Sequence, residues 1–282
     1  MRSVAKLPRA QPPDIVWASL SDVGKVRPAN EDYVGDPEAL APLVGSRSRL
    51  VSRGVLFAVA DGMGGHARGE IASKLAIDVL YATFYNAPGD PVEMFKKAIL
   101  TANTAVRRAG VLAKPETIGK GEGARTLPSM GTTLVAALVL GRWLLVGNIG
   151  DSRAYLMNDG RLEQVSRDHT YLAEEIRRGL VPADAAETSP FRHLITRSLG
   201  TKDAVEVDLF WRPWPDGATL LLATDGLHGV VEELEMETIL ASRPPDEAVK
   251  ALVKAAHDGG APDNVSVVVV HKPETHGKTA PE

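Results

Sequence analysis

The chain of 282 residues contains no cysteine. Disulfide frameworks, thiolate zinc sites and cysteine nucleophiles are therefore excluded, and with them any cysteinyl-phosphate intermediate. No run of roughly 18 apolar residues occurs, so no membrane span is expected. The opening residues MRSVAKLPRAQPPD lack the apolar core of a secretory signal, and a cytoplasmic protein is the default expectation. A basic excess is missing too. The net charge is -4, whereas nucleic-acid-binding domains are usually basic, so neither nucleic acid nor a membrane is the expected partner. There is no Walker-type glycine loop with Lys-Ser/Thr and no histidine-rich metal motif, which disfavours nucleotide hydrolysis.

What is present is an ordinary globular balance, 44% hydrophobic and 24% charged residues, enough for a real core. Residues 1–13 and 272–282 are rich in Pro, Lys and small polar residues and read as flexible tails. No internal repeat or long linker lies between them, so a single domain over 14–271 is expected, as a monomer.

Short aliphatic or β-branched runs bounded by Gly, Asp or Asn predict strands at Ile15–Leu20, Val55–Ala60, Thr132–Leu140, Trp143–Val146, Ala154–Met157, Thr219–Ala223 and Val265–His271. Gly141-Arg142 and Asn158-Asp159-Gly160 have the composition of hairpin turns, which makes neighbouring strands antiparallel. Helical spacing places Ile71, Leu75, Val79 and Leu80 on one face of a helix over Gly69–Phe84. It does the same for Phe95, Ile99, Ala102 and Val106 over Val92–Val106. A third helix over Asp246–His257 would start with Asp246 as its cap. Strand meanders interrupted by helix pairs suggest an α+β fold with antiparallel sheets.

The informative feature is where the acidic residues stand. Asn30-Glu31-Asp32, Asp61-Gly62, Gly150-Asp151, Asp225-Gly226 and Asp263-Asn264 all sit at strand ends or tight turns. One Asp-Gly alone is ordinary turn chemistry. Five acidic sites, each attached to a hydrophobic strand, would converge on one rim and repel one another unless cations neutralise them. Hard cations such as Mg²⁺ and Mn²⁺ prefer oxygen ligands and match a site without cysteine or histidine.

Six stretches carry a resemblance. They are SDVGKVRPANEDYVGD (21–36), LFAVADGMGGHARGE (56–70), MGTTLVAALV (130–139), VGNIGDSRAYL (146–156), LLLATDGLHGVV (220–231) and PDNVSVVVV (262–270). In order and together, they resemble the PPM family, the type 2C metal-dependent Ser/Thr protein phosphatases, in its bacterial form. The resemblance implies a four-layer αββα sandwich of two antiparallel β-sheets flanked by helix pairs, with a binuclear metal site at one edge. It implies that Asp61 bridges two Mn²⁺ or Mg²⁺ ions. Asp225 and Asp263 would complete one shell; Asp32 (or Glu31) and the carbonyl of Gly62 would serve the other ion. Asp151 would be available for a third ion shared with Asp225, Arg27 would grip the phosphate, and Asn264 would support the site. It further implies attack of a bridging hydroxide on phosphoserine or phosphothreonine in proteins, with a Ser/Thr kinase acting in opposition.

Weaker signals remain. Eukaryotic relatives often carry a histidine two residues after the bridging aspartate; here that position is Met63, and His66 is expected to be structural or solvent-facing. The segment 170–197 falls where the family carries its flap, with Arg177, Arg178 and His193 as substrate-contact candidates. Pro37–Arg53 and Lys114–Ser129 are expected to be exposed loops. His169, His228 and His257 have no metal-ligand spacing and are assigned no role. A pseudophosphatase that only binds phosphoproteins should have lost a ligand aspartate, and none is missing.

Overall fold

A computed structural model describes residues 14–64, 67–113, 116–118, 125–127, 130–182 and 194–274. In chain order the first elements are β1 (Val16–Asp22), β2 (Asp32–Gly35), α1 (Ala41–Val44), α2 (Arg47–Arg53), β3 (Val55–Met63), α3 (Ala67–Asn86) and α4 (Pro91–Leu112). Then come β4 (Glu116–Ile118), β5 (Arg125–Leu127), β6 (Gly131–Thr132), β7 (Leu134–Leu140), β8 (Trp143–Ile149), β9 (Arg153–Asn158), β10 (Arg161–Gln164) and α5 (Tyr171–Arg177). The chain ends through β11 (Asp208–Pro213), β12 (Thr219–Ala223), α6 (Asp225–His228), α7 (Glu233–Ser242), α8 (Pro245–Asp258) and β13 (Val265–His271).

Among the described residues two large antiparallel sheets result, one in the order β1-β13-β12-β9-β10 and the other β11-β8-β7-β3-β2 with β6 beside β3, while β4 and β5 pair separately. Alternation along the strands builds three layers of core. Phe57, Val59, Val135, Val146, Leu220, Leu222 and Val268 face inward between the sheets, around the fully buried Trp214. Their neighbours Leu56, Ala58, Leu138 and Leu145 face α3 and α4. Leu221, Val267 and Val269 face α7 and α8. Strands buried on both faces read as continuous apolar runs, which is why they were visible in the sequence. Each Val, Leu or Phe among them contributes roughly 1.5–3 kcal/mol by leaving water. The α+β sandwich expected from the resemblance is the fold observed.

The predicted turns hold. Leu140 pairs with Trp143 across Gly141-Arg142, and Asn158 pairs with Arg161 across Asp159-Gly160, both at positive φ. α4 starts one residue before the predicted Val92 and runs on to Leu112: the Asp90 carboxylate accepts from the Val92 and Glu93 amides, and Pro91 occupies the first turn.

Several expectations need correction. In α3 the buried face is Ala72, Ala76, Ile77, Leu80, Tyr81 and Phe84, while Ile71 is 50% exposed. The small residues Ala72 and Ala76 let the helix lie close to β2 and β3, so the largest aliphatic residues do not define the contact face. Asp246 does not cap α8; Pro244 holds the cap position and Pro245 opens the helix. Pro37–Arg53 is no exposed loop. It forms α1 and α2, with Leu40 and Val44 buried against the α3 core. There Arg49 donates to Asn86 Oδ1 at 2.7 Å and Arg53 to the Phe84 carbonyl at 3.1 Å. Lys272, expected in the tail, is pinned by its amide to the Ala218 carbonyl and by its ammonium to the Trp214 carbonyl. Residues 1–13, 275–282 and most of Lys114–Ser129 lie outside the described residues, apart from the paired backbone of β4 and β5.

Candidate active site

Register brings the acidic positions together. Asp32 and Asp61 are direct cross-strand partners on β2 and β3. On the other sheet, Ala223 at the end of β12 lies opposite Val267 of β13 and Arg153 of β9. Asp225, which follows β12, therefore shares one end of the sandwich with Asp263, which precedes β13, and Asp151, which precedes β9.

Backbone close approaches shape this end. A Cβ on Gly62 would stand 2.0 Å from the Gly69 carbonyl, and one on Gly226 would stand 1.9 Å from the Asn264 carbonyl. Only glycine fits at either place. The Glu31 carbonyl accepts from the Gly62 amide at 3.1 Å and from the Ser73 hydroxyl at 2.6 Å. Asn264 is a clamp: its Oδ1 accepts from the Glu31 amide, and its Nδ2 donates to the Val23 and Ala29 carbonyls, each within 2.9 Å. That holds the loop carrying Arg27 and Glu31 against the start of β13. Thr133 and Thr132 fix Asp61 from behind. The Asp61 amide donates to Thr133 Oγ1 at 2.9 Å, and its carbonyl accepts from Thr132 Oγ1 at 2.8 Å.

The electrostatics are those of crowded, desolvated anions. Asp32 and Asp151 are each only 5% exposed. Burial pushes Asp32 up to about 7; Thr224 and Ser266 hydroxyls oppose this, while Asp225 and Asp263 add to it. Burial likewise pushes Asp151 up to about 7, reinforced by the charges of Asp225 and Asp168. Asp61 is raised well above the carboxylate range by burial, then by Asp32, Asp225, Asp151 and Asp263. Arg27, with a side chain 52% exposed, donates to Asp263 Oδ2 at 2.5 Å. That bond, then the nearby charges of Asp61 and Glu31, raises the guanidinium pKa against a smaller burial effect.

Among the described residues, no three acidic or histidine side chains already share one point as an ion's ligands do. The carboxylates feel one another's charge across the rim instead. They nevertheless fit divalent cations. The donors are hard oxygens, and a buried Asp151 oxygen, Oδ1, has no hydrogen-bond partner. Without a counter-charge, carboxylates so raised would bind protons near neutral pH.

Not every candidate joins the rim. Arg177 and Arg178 are exposed on and just after α5, where Arg178 pairs with Glu175 at 3.3 Å. His193 and His66 lie outside the described residues. Sequence reasoning missed the hydroxyls beneath the rim: Thr224 donates to Asp32 Oδ2 at 2.8 Å, and Thr133 and Ser152 bond at 2.7 Å. Thr224 directly precedes Asp225 and closes an apolar run, a signal that could have been read. His228 meets the Asp151 carbonyl at 3.1 Å, and His169 is buried beside Gly150; neither has any local signal.

Strand-end carboxylates beside an arginine offer the hard oxygen donors that divalent cations take, and similarity to known proteins gives the class. A family profile described as Protein phosphatase 2C matches residues 46–259. The chain is 34% identical to the serine/threonine phosphatase stp of Listeria monocytogenes serovar 1/2a, covering 89% of this chain and 94% of that one. It is 38% identical to the serine/threonine protein phosphatase PstP of Mycobacterium tuberculosis, covering 94% of this chain and 46% of that one. A crystal structure of the catalytic domain of PstP in complex with two manganese ions superposes with a TM-score of 0.73 at 34% identity, covering 92% of this chain and 99% of that one. The chain belongs to the protein phosphatase 2C family and is a serine/threonine protein phosphatase.

Proposed function

We propose that the chain hydrolyses phosphoserine and phosphothreonine esters in proteins with two Mn²⁺ or Mg²⁺ ions at the carboxylate rim. Asp61, Asp32, Glu31, Asp225, Asp263 and the Gly62 carbonyl would hold them, with Asp151 available for a third. Bound there, the cations supply an activated water nucleophile and offset charge on the phosphoryl group. The observation that carries this reading is the set of buried carboxylates raised by burial and mutual repulsion at one end of the sandwich.

The chain's own groups do the rest. Arg27 leans over the rim, and its planar fork can donate to two phosphate oxygens at once, which lysine cannot copy. Thr224 holds one oxygen of Asp32 in place, and Asn264 holds the Arg27 loop in register. Arg177, Arg178 and His193 in the 170–197 segment are proposed to meet the protein part of the substrate. One domain over 14–271, a monomeric state, a cytoplasmic location and an opposing Ser/Thr kinase complete the reading. Among the described residues no helix is long and apolar enough to cross a membrane.

The test is hydrolysis of a phosphothreonine peptide in Mn²⁺, with EDTA and Asp225→Asn as controls. Activity that disappears in both controls supports the reading. Persistence in EDTA would remove the metal from it, and inactivity with every metal would leave a phosphoprotein-binding module.

A further inference from the structure

His169 is 1% exposed, yet no step of the proposed hydrolysis uses it. It sits where three parts of the molecule meet. Its Nδ1 accepts from the Gly150 amide at 3.1 Å, and its own amide donates to the Gly150 carbonyl at 2.9 Å. Its Nε2 faces Asp208 Oδ2, at the start of β11, at 3.2 Å. Its carbonyl accepts from the Thr196 amide at 2.8 Å and from the Thr196 hydroxyl at 3.0 Å. Beside it, Thr170 bridges Ile195, so the two ends of the 170–197 segment close on this residue.

We propose that His169 is a positioning residue, an Nε2–H imidazole that ties the Gly150–Asp151 loop to the base of the 170–197 segment and to β11. This rests on the reading of Asp151 as a cation ligand. The tautomer follows from the partners. An amide can only donate, so Nδ1 must be unprotonated, and the ring proton lies on Nε2, facing a carboxylate acceptor. Arg197 Nη1, 3.3 Å from Nε2, is instead satisfied by Asp208 Oδ1 at 2.9 Å. Burial, with the Arg197 charge beside the ring, lowers the His169 pKa against the pull of Asp208, which keeps Nδ1 free to accept.

The loop has little freedom to compensate. Gly150 stands at φ +106, and a Cβ there would lie 2.7 Å from Thr133 Cβ. Asn148 Nδ2 bonds the Arg167 carbonyl at 2.7 Å and reaches the Gly150 carbonyl at 3.3 Å, closing the other side. Losing the imidazole acceptor strands a buried amide one residue from Asp151, and the loop must move to satisfy it. Partners that orient a metal ligand from behind act in this way.

Two isosteres separate the two arms. In His169→Asn the side-chain oxygen replaces Nδ1 and keeps the Gly150 bond while the link to Asp208 is lost. In His169→Gln the amide replaces Nε2 and keeps Asp208 while the Gly150 acceptor is lost. Calorimetric titration with Mn²⁺ alone should show His169→Gln weakening its weakest binding step by about 10- to 100-fold. His169→Asn and Asp208→Asn should bind Mn²⁺ as wild type does. They should raise the KM for a phosphothreonine peptide without raising it for p-nitrophenyl phosphate. Variants that differ from wild type only in melting temperature, or that shift Mn²⁺ binding alike, overturn the proposal. If His169→Gln fails to fold, the peptide-specific KM of the other two variants decides: raised supports it, unchanged overturns it. A wild type that binds no Mn²⁺ and cleaves neither substrate rejects the phosphatase reading itself, an outcome distinct from normal activity with indifferent variants.

Discussion

The interior between the sheets is buried, the rim at their end is buried at Asp32 and Asp151 and half-buried at Asp61, Asp225 and Asp263, and their energetics are opposed. Phe57, Leu220 and Val268 leave water and pack in an apolar cluster, so the apolar area they bury stabilises the fold. Asp32, Asp61 and Asp151 leave water with their charge only partly compensated, so the rim raises the free energy of the folded chain. The comparison teaches that this sandwich carries its rim as a cost offset by the core. On the proposed reading, the rim's excess of unneutralised charge is what cations would offset.

The sharpest way to break that contrast is to remove one rim charge. Asp225→Asn should lower kcat on a phosphothreonine peptide by at least about 10³-fold, several kcal/mol of lost transition-state stabilisation. Its melting temperature in EDTA should not fall. A variant both inactive and less stable in EDTA would place Asp225 with the core instead. Phe57→Ala is the converse: about 3–5 kcal/mol of stability lost in denaturant titration, with kcat of the folded fraction unchanged.

Arg27→Lys keeps the charge over the rim and removes the fork. A KM increase of about tenfold, 1.4 kcal/mol, with a smaller change in kcat is expected. Equal KM values would make Arg27 a plain surface charge. The smallest effect is on pH dependence without metal. The folded-state pKa of Asp32 and Asp151, about 7, lies above the unfolded carboxylate value. Such groups stabilise the fold fully below the unfolded pKa, and that stability is lost as pH rises toward 7. In EDTA, stability should therefore drop as pH rises from 4 to 7. Asp32→Asn should flatten the slope, and Mn²⁺ should reverse it at pH 7.

Much of the fold was legible because its signals are local. β12 and β13 match their apolar runs residue for residue, and the acidic turns stand beside them. β2, β10 and β11 were not foreseen. They are short or only half buried, so no apolar run or clean alternation marks them, and only their neighbours make them strands. α7 was missed for a related reason: ELEMETILAS buries only Met236, Ile239 and Leu240 and begins without a side-chain cap. The face of α3 was misjudged because alanines, rather than its larger aliphatics, set the distance to the sheet.

The sequence by itself determined the strand-end acidic turns, the extent of β12 and β13 and the two hairpins, because each depends on residues a few positions apart. Only the tertiary structure decided that Asp32 lies opposite Asp61, that Arg27 reaches Asp263, and that Thr224 serves Asp32 across 192 positions of chain. It alone gave His169 its partners, at Gly150, Thr196 and Asp208. A histidine's burial and tautomer are set by groups that arrive from other strands, and no local pattern of residues encodes them.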